Sequence, residues 1–524
     1  MSGTIFDSTE NQAGKPRKCG VLLPIFSLPD AYGIGTIGAV AREFIGYLAS
    51  AGVKVWQILP LLPTSYGDSP YQSVCSYALN YYFIDLQLLK EEGLFTQSEL
   101  NDYAAENAYT SDNSRIDYEK LFRTRVPLLK KAFSRFEREE YLAAHRAEAQ
   151  NFAAFLKKGE YYDFALFMSL KTHFSYRPWQ EWGEYAQFGE EKAEKFAAKH
   201  AEEIRFWQFT QYEFLKQWVQ LRKCAEDFGV ELLGDMPIYV SGDSVEMWKY
   251  GKSLFETDEN GRQTQKAGVP PDAFSADGQL WGNPVYRWGE MKKNGYRWWK
   301  ERIRKALGLF DAVRIDHFRG FDRYFSIPQN AQTAREGEWK DGPKEALFED
   351  MKNLPIVAED LGVIDEGVLR LMKNVGYPGM RVLEFAFDGN ADNTNKPSNS
   401  PENSVAYTGT HDNPPFAAYV RSLPESEKQR FVRDFRDECK KFGVCSAAVT
   451  PEEYCAEAVR LAFASPSYLC VAPLHDLLAL GEEARINAPS TLSTKNWSFR
   501  YPKAQLLSRE VKETLLRLTL EYRR

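Results

Sequence analysis

The sequence predicts an α/β protein with a (β/α)₈ TIM barrel and inserted, mainly helical subdomains. Three observations point to this fold. Eight apolar segments of strand length alternate with segments whose apolar residues recur at helical spacing. Acidic residues follow most of these strands, as is typical of the C-terminal face of a barrel. The first strand–helix turn carries Gly33, Gly35 and Gly38 but no GxGxxG pattern, which counts against an open doubly wound sheet.

The eight predicted strands are spread along the whole chain. The first two flank a helical segment at 39–49, so the chain opens with a β-α-β unit. Further helical segments, including 426–441 and 452–464, separate later strands. The predicted strands lie within residues 20–29, 54–63, 230–240, 311–321, 354–362, 379–389, 404–413 and 468–478.

The chain divides into four predicted parts. Residues 1–18 are polar and are expected to form an N-terminal arm, and residues 19–524 are expected to form the barrel. Residues 88–201 combine many charged residues with apolar residues three and four apart, which predicts an inserted helical subdomain with solvated charges. Residues 241–300 are expected to form an inserted active-site loop region.

Composition excludes several classes of protein. The 524 residues are 44% hydrophobic and 27% charged, which excludes a disordered chain. A net charge of -7 without a long basic run counts against a nucleic-acid partner. We find no apolar run of about 18 residues and expect no membrane partner. The seven cysteines form no CxxC pair and no zinc-type spacing, which predicts reduced thiols, no metal site and a cytoplasmic location.

One predicted strand carries an unusual number of charged residues. The segment 311–321 reads DAVRIDHFRGF, and strand alternation places Arg314 and Asp316 on one face with Val313 and Ile315 on the other. The Arg314 guanidinium is expected to keep Asp316 ionised, as a nucleophile must be. A buried structural ion pair explains these residues equally well.

Acidic residues at the ends of the other strands favour a functional cleft. A single acid after a strand is more often a helix cap, but a series of them meets at one face if the strands form a barrel. These residues are Asp235, Asp316, Glu359 with Asp360, Asp388, and Asp412 after His411.

Metal binding, hydrolysis by a serine nucleophile and glycoside chemistry compete to explain such a cleft. The sequence has no calcium-loop pattern, no HExxH and no GxSxG pentapeptide, which weakens the first two explanations. Glycoside chemistry needs one ionised and one protonated carboxyl group. Asp316 beside Arg314 and Glu359 after the apolar run PIVA can supply them.

Two loops rich in aromatic residues also favour a sugar ligand. The loop 64–82 contains five tyrosines, and the loop 269–288 places Trp281 among Gly, Asn and Pro residues. Exposed aromatic side chains offer flat apolar faces on which the C–H faces of a sugar ring can lie. A satellite hydrophobic cluster under a long loop is the alternative explanation.

Seven segments of the sequence match the patterns of one known family. They resemble the amylomaltases, which are the 4-α-glucanotransferases of glycoside hydrolase family 77. The resemblance runs in chain order from about residue 20 to the segments ARINAPST and NWSFR, and it is to the short form of the family. The segments are YGDSPYQS (66–73), GDMPIYV (234–240), PPDAFSADGQLWGNPVY (270–286), VRIDHFRG (313–320), AEDLG (358–362), FDG (387–389) and GTHDN (409–413).

The resemblance implies roles for individual residues. Asp316 matches the nucleophile, Glu359 the general acid/base and Asp412 the transition-state stabiliser. The segment NWSFR departs from the family's NWxWR form, with Phe499 in place of Trp. The residues implied to bind substrate are Tyr66, Asp68, Ser69, Tyr71, Asp235, Trp281, Asn283, Arg314, His317, Asp360, Asp388, His411 and Asn487.

The resemblance also implies an activity. A member of this family transfers segments of α-1,4-glucan to glucose or maltooligosaccharide acceptors by a retaining double displacement, without a cofactor or a metal ion. An α-amylase-like retaining hydrolase with the same carboxylates is the first alternative. A non-catalytic glucan-binding protein is a weaker one, because Glu359 is intact. The sequence leaves the oligomeric state open.

Overall fold

A computed structural model describes residues 16–65, 67–109, 114–271, 277–362, 364–444 and 447–524. Within these ranges the chain forms twelve β-strands and nineteen α-helices. The strands are β1 (Lys18–Leu22), β2 (Val55–Gln57), β3 (Glu231–Met236), β4 (Gln265–Val269), β5 (Gln279–Pro284), β6 (Ala312–Ile315), β7 (Arg323–Pro328), β8 (Glu338–Asp341), β9 (Ile356–Ala358), β10 (Gly379–Val382), β11 (Ser404–Tyr407) and β12 (Leu469–Pro473).

The helices alternate with the strands in the later part of the chain and cluster between β2 and β3. They are α1 (Ala39–Ser50), α2 (Leu86–Glu91), α3 (Gln97–Glu106), α4 (Tyr118–Phe136), α5 (Glu139–Ala144), α6 (Arg146–Lys158), α7 (Tyr162–His173), α8 (Glu190–Lys199), α9 (Ala201–Phe228), α10 (Val245–Leu254), α11 (Trp288–Lys293), α12 (Arg297–Leu309), α13 (Glu366–Val375), α14 (Phe416–Ser422), α15 (Glu425–Lys441), α16 (Pro451–Ala464), α17 (Leu474–Leu477), α18 (Lys503–Leu506) and α19 (Arg509–Tyr522). Among the described helices, none is both long and apolar enough to cross a membrane.

Eight parallel strands close into a barrel, as the sequence predicts. Their order around the barrel is β1, β2, β3, β6, β9, β10, β11 and β12, and β12 pairs with β1. Each predicted strand segment overlaps one of these strands. The observed strands are shorter than the predicted segments: Asp316, Glu359 and Asp412 follow their strands, whereas Asp235 lies within β3. Strands β11 and β12 are buried along their whole length, as expected for parallel strands covered on both faces.

A second sheet, which the sequence analysis did not predict, lies beside the barrel. Its four antiparallel strands run in the order β5, β4, β7 and β8. A small separate core of Phe325, Ile327, Ala331 and Ala334 packs against Trp339 in this region. The sheet overlaps the interval 241–300 and brings β5 close to the residues that follow β6.

The connection between β2 and β3 carries helices α2 to α9, and buried charges join three of its segments. The Lys216 ammonium on α9 donates hydrogen bonds to Glu92 at 2.7 Å, to Glu148 at 2.6 Å and to Glu213 at 2.9 Å. Glu213 is fully buried. Lys216 therefore gives three closely spaced carboxyl groups a common positively charged partner.

Residues 482–501 return across the C-terminal face of the barrel. The backbone of Ile116 donates to Ser498, and Arg500 donates back to Ser114, both at 2.8 Å. Phe499 is buried, with its ring at 4.9 Å from the Tyr501 ring. This pairing anchors the segment that carries Asn487 and Trp497.

Candidate active site

Strand register brings the predicted acids together at one face of the barrel. Asp235 on β3 pairs with Arg314 on β6, and Ile315 pairs with Ala358 on β9. Asp316 and Glu359 are the next residues of β6 and β9, and neighbouring strands lie about 5 Å apart. The N–H of Glu359 donates to the Ile315 carbonyl at 3.0 Å, so the pairing continues to the acids themselves.

Arg314 is the charged centre of this face. Its side chain is only 3% exposed, and it donates to both oxygens of Asp235, from Nε at 3.1 Å and from Nη2 at 2.9 Å. The same Nη2 donates to Asp316 Oδ1 at 3.0 Å, which is the predicted contact between these two side chains. The Tyr71 hydroxyl donates to Asp235 Oδ2 at 2.6 Å and so joins the cluster.

Asp316 is accessible and less acidic than the sequence predicts. Its side chain is 30% exposed. Burial raises the pKa of Asp316 to about 7 despite the opposing effect of Arg314, and the charges of Asp235 and Asp412 raise it further. The expectation that Arg314 keeps Asp316 ionised is therefore too simple, because burial outweighs the effect of Arg314, whose charge is also shared with Asp235.

Glu359 is held in place by two backbone N–H groups. His317 donates to its Oε2 at 2.6 Å and Leu361 donates to its Oε1 at 2.8 Å. Burial, and then the neighbouring charge of Asp316, raise the pKa of Glu359 to about 8. The two carboxyl groups therefore titrate as one interacting pair, at a higher pH than free carboxyl groups do.

Asp412 faces the same opening from the loop after β11. Its side chain is 45% exposed, and the Asn487 amide donates to its Oδ1 at 2.7 Å. His411 Nε2 lies 3.4 Å from its Oδ2, and the His411 ring stacks on Tyr71 at 5.1 Å. Burial lowers the pKa of His411. The ring is therefore neutral at neutral pH and can offer a hydrogen-bond donor without a second charge.

Residues of β5 form the rim on the other side of the acids. The Trp281 ring meets the His317 ring edge to face at 4.8 Å. Asn283 Oδ1 accepts from Gln72 Nε2 at 2.9 Å, which joins β5 to the loop that carries Tyr71. Burial lowers the pKa of His317 to about 3, so this imidazole is also neutral.

Two predicted substrate-binding acids make their contacts away from this cluster. Asp360 is buried, and its two oxygens accept from the Met380 N–H at 2.6 Å and the Arg381 guanidinium at 2.9 Å. Asp388 is exposed and accepts from the Asn390 N–H at 2.9 Å. The structure does not bring either carboxylate into the Arg314 network.

Of the predicted residues in the tyrosine-rich loop, Tyr71 belongs to the Arg314 cluster and Ser69 contacts Tyr71. Ser69 Oγ accepts from the Tyr71 N–H at 3.2 Å. Asp68 has a left-handed backbone, with φ of 58°, and burial raises its pKa to about 6. Tyr66 lies outside the described residues.

The sequence analysis did not single out three residues that complete the site. Gln72 forms the bridge to Asn283, and Trp497 packs 5.6 Å from Tyr71 and 5.9 Å from His411. Arg485 donates to the Asp412 carbonyl at 3.2 Å. Gln72 and Trp497 stand inside the segments YGDSPYQS and NWSFR, and their position in those segments was the available signal.

A cluster of three carboxyl groups elsewhere in the chain has the spacing of a metal site but contains a lysine instead. Among the described residues, Glu92, Glu148 and Glu213 have oxygens within 4.8 Å of one another, as a metal ion requires. The Lys216 ammonium already lies among them. At the barrel face, an accessible carboxyl group beside a buried one suits a nucleophile and a general acid.

Comparisons with known proteins agree with this geometry. A family model described as 4-alpha-glucanotransferase, that of glycoside hydrolase family 77, matches residues 23–506. A 4-alpha-glucanotransferase of Streptococcus pneumoniae is 42% identical over 517 residues, covering 97% of this chain and 98% of that protein. One from Thermus thermophilus is 42% identical over 94% of this chain and 96% of its own length. The amylomaltase of Streptococcus agalactiae, solved in complex with acarbose, superposes with a TM-score of 0.89 at 37% identity, covering 97% of this chain and 99% of the other.

Proposed function

The chain belongs to the 4-alpha-glucanotransferase family, glycoside hydrolase family 77, and from this premise we propose that it transfers segments of α-1,4-glucan to glucose or maltooligosaccharide acceptors. The observation that carries the proposal is the pair Asp316 and Glu359, which follow neighbouring strands in register at one face of the barrel. Retaining enzymes need two carboxyl groups about 5 Å apart, close to the spacing of adjacent strands.

The first half of the reaction forms a covalent intermediate. Asp316 attacks the anomeric carbon of the donor sugar while Glu359 gives its proton to the departing glycosidic oxygen. The bond between the anomeric carbon and the glycosidic oxygen breaks, and a β-glucosyl ester of Asp316 remains. Asp412 accepts hydrogen bonds from the hydroxyls of the distorted sugar, and Asn487 orients Asp412 for that task.

The second half transfers the sugar to its acceptor. Glu359, now ionised, removes the proton from the 4-hydroxyl of an incoming glucan. The acceptor oxygen displaces Asp316, so two inversions restore the α configuration. Tyr71, Asp235, Arg314 and His411 form the wall around the reacting sugar in this scheme.

Transfer exceeds hydrolysis only if water is kept from the ester. The loops 64–82 and 269–288 are the segments that we assign to this exclusion, and the Gln72–Asn283 bridge joins them. Trp281 contributes an aromatic surface beside His317. Tyr66, which lies outside the described residues, is assigned the same role from the sequence alone. Replacing Trp281 or Tyr66 with Ala is expected to raise the proportion of hydrolysis, and an unchanged proportion would contradict this assignment.

Incubation of the wild-type protein with maltotriose alone tests the function. We expect a ladder of longer maltooligosaccharides together with glucose, while the total number of reducing ends stays constant. A steady rise in reducing ends without a ladder would identify the hydrolase instead. Binding of maltotriose without any product would identify a glucan-binding protein.

We also propose a cytoplasmic location for the protein and acarbose as an inhibitor that binds in the cleft. The six described cysteines are all free thiols, which fits a cytoplasmic protein. Since the Streptococcus agalactiae relative was solved with acarbose, we expect acarbose to inhibit this chain by binding at Asp316.

A further inference from the structure

Two buried acids that the mechanism does not use hold the loop that carries Asp412. This loop joins β11 to α14 and spans residues 408–415. Glu384, in the turn after β10, is 8% exposed, and Asp476 on α17 is 1% exposed. Carboxylates at such depth are rare unless they satisfy specific donors.

Asp476 fixes the two ends of this loop. Its Oδ2 accepts from the Thr408 hydroxyl at 2.5 Å and its Oδ1 accepts from the Phe416 N–H at 2.7 Å. Phe416 begins α14. The start and the finish of the loop are therefore tied to one buried carboxylate.

Glu384 fixes the middle of the loop through a relay of hydrogen bonds. Its Oε1 accepts from Asn413 Nδ2 at 2.9 Å. Asn413 Oδ1 accepts from both the N–H of Thr410 at 3.0 Å and its hydroxyl at 2.8 Å. The Thr410 oxygen accepts in turn from the Asp412 N–H at 3.3 Å. The Glu384 N–H also donates to the Thr408 carbonyl at 3.2 Å.

The relay ends on the backbone of Asp412 and leaves its carboxylate free for the sugar. Among the described residues, the Asp412 carboxylate forms polar side-chain contacts with the Asn487 amide and the His411 ring, and it is 45% exposed. An exposed side chain is held in one orientation more firmly when hydrogen bonds also fix its backbone, as Thr410 does for Asp412.

We propose that Glu384 is a positioning residue for the transfer reaction, which acts through Asn413 and Thr410 to hold Asp412 in the orientation that the transition state requires. This role rests on the proposed function. It is distinct from substrate binding, because Glu384 reaches the sugar only through Asp412.

Burial raises the pKa of Glu384 to about 8, whereas the hydrogen bond from Asn413 lowers it. In its neutral and in its ionised form alike, Glu384 can accept this hydrogen bond at Oε1. A Gln amide has the same shape and keeps that acceptor, whereas Leu removes it. The pair Glu384→Gln and Glu384→Leu consequently separates the hydrogen bond from the volume of the side chain.

The test measures kcat and KM for disproportionation of maltotriose at pH 7. We expect Glu384→Leu to lower kcat about 10- to 100-fold with KM changed less than about 3-fold, as loss of a transition-state interaction does. Glu384→Gln is expected to remain within about 3-fold of the wild type. Thr410→Val, which breaks the relay without touching Glu384, is expected to reproduce the loss and serves if Glu384→Leu does not fold.

A double-mutant cycle distinguishes positioning from general damage. In an Asp412→Asn background, Glu384→Leu is expected to cost less than about 3-fold, because its effect passes through Asp412. Glu438→Leu is the matched control. Glu438 is a buried acid on α15 that accepts from Ser398 at 2.9 Å, and its loss is expected to lower thermal stability without lowering kcat.

Three results would overturn the proposal. An unchanged kcat in Glu384→Leu or in Thr410→Val would show that the relay does not support catalysis. An equal loss of kcat from Glu384→Leu in the wild type and in Asp412→Asn would show that Glu384 does not act through Asp412. A wild-type protein that forms no products longer than maltotriose would overturn the proposed function, and the role of Glu384 with it. If the wild type does transfer glucans, the first two results overturn the role of Glu384 alone.

Discussion

The sharing of Arg314 between two acids predicts how Asp235 controls the pH range of catalysis. Asp235 and Asp316 contact the same Nη2 atom at 2.9 and 3.0 Å, so their oxygens are no further apart than the sum of these distances, about 6 Å. At an effective dielectric constant of about 20, two charges at that separation interact by about 2.8 kcal/mol. This energy corresponds to about two pKa units.

Asp235→Asn removes one of these negative charges, so that the positive charge of Arg314 acts on Asp316 alone. We expect the pKa of Asp316 to fall from about 7 to about 5 in the free protein, because a carboxylate that is better neutralised ionises at lower pH. The acid limb of kcat/KM reports this pKa. That limb should therefore move to lower pH even if the maximal rate falls.

The assay follows glucose release from maltotriose between pH 4 and pH 9. Breaking a buried ion pair costs about 3–5 kcal/mol, so thermal unfolding must show that the variant is folded at the assay temperature. Tyr71→Phe is the control, because it removes the other hydrogen bond to Asp235 without changing a charge. An acid limb that stays in place, or that moves to higher pH in Asp235→Asn, would refute the reasoning.

Three further predictions concern other parts of the molecule. Glu359→Gln should lower transfer from maltotriose about 10²- to 10⁴-fold but spare the first step with maltosyl fluoride, whose leaving group needs no acid; equal losses with both donors would contradict its role. Gln72→Ala should raise the ratio of hydrolysis to transfer, measured as reducing ends against ladder products, by opening the bridge to Asn283; no change would show that the bridge does not exclude water. Lys216→Met should destabilise the fold by about 3–5 kcal/mol at pH 8 and by less at pH 5, where carboxyls such as Glu213, whose pKa burial raises to about 8, are protonated; equal shifts of the unfolding temperature at both pH values would count against this.

The barrel could be predicted because each of its strands is a local feature of the sequence. Parallel strands buried on both faces are apolar throughout, and the chemistry follows them directly, as in the residues around Asp316 and Glu359. The second sheet could not be predicted in the same way. Its strands QKAGV and QLWGNP contain Gly and Pro, and they are stable only through pairing with each other and with β7.

The electrostatics of the site depended on contacts between distant segments. Arg314 and Asp316 are two residues apart and their contact was predictable from strand alternation, whereas Asp235 comes from another strand. The local sequence therefore predicted a more acidic Asp316 than the structure contains. The amide bridge between Gln72 and Asn283 was also unpredictable, because it joins distant segments and nothing in the local sequence marks either residue as a partner.

The return of residues 482–501 over the barrel has a consequence for biosynthesis. A nascent chain that has completed β11 already contains both reacting carboxyls, but it has neither the Asn487 amide that holds Asp412 nor the Trp497 ring beside Tyr71. Contacts between such remote segments form late, since the intervening chain must first be ordered. We therefore expect the chain to become active only after residues 482–501 have packed over the completed barrel.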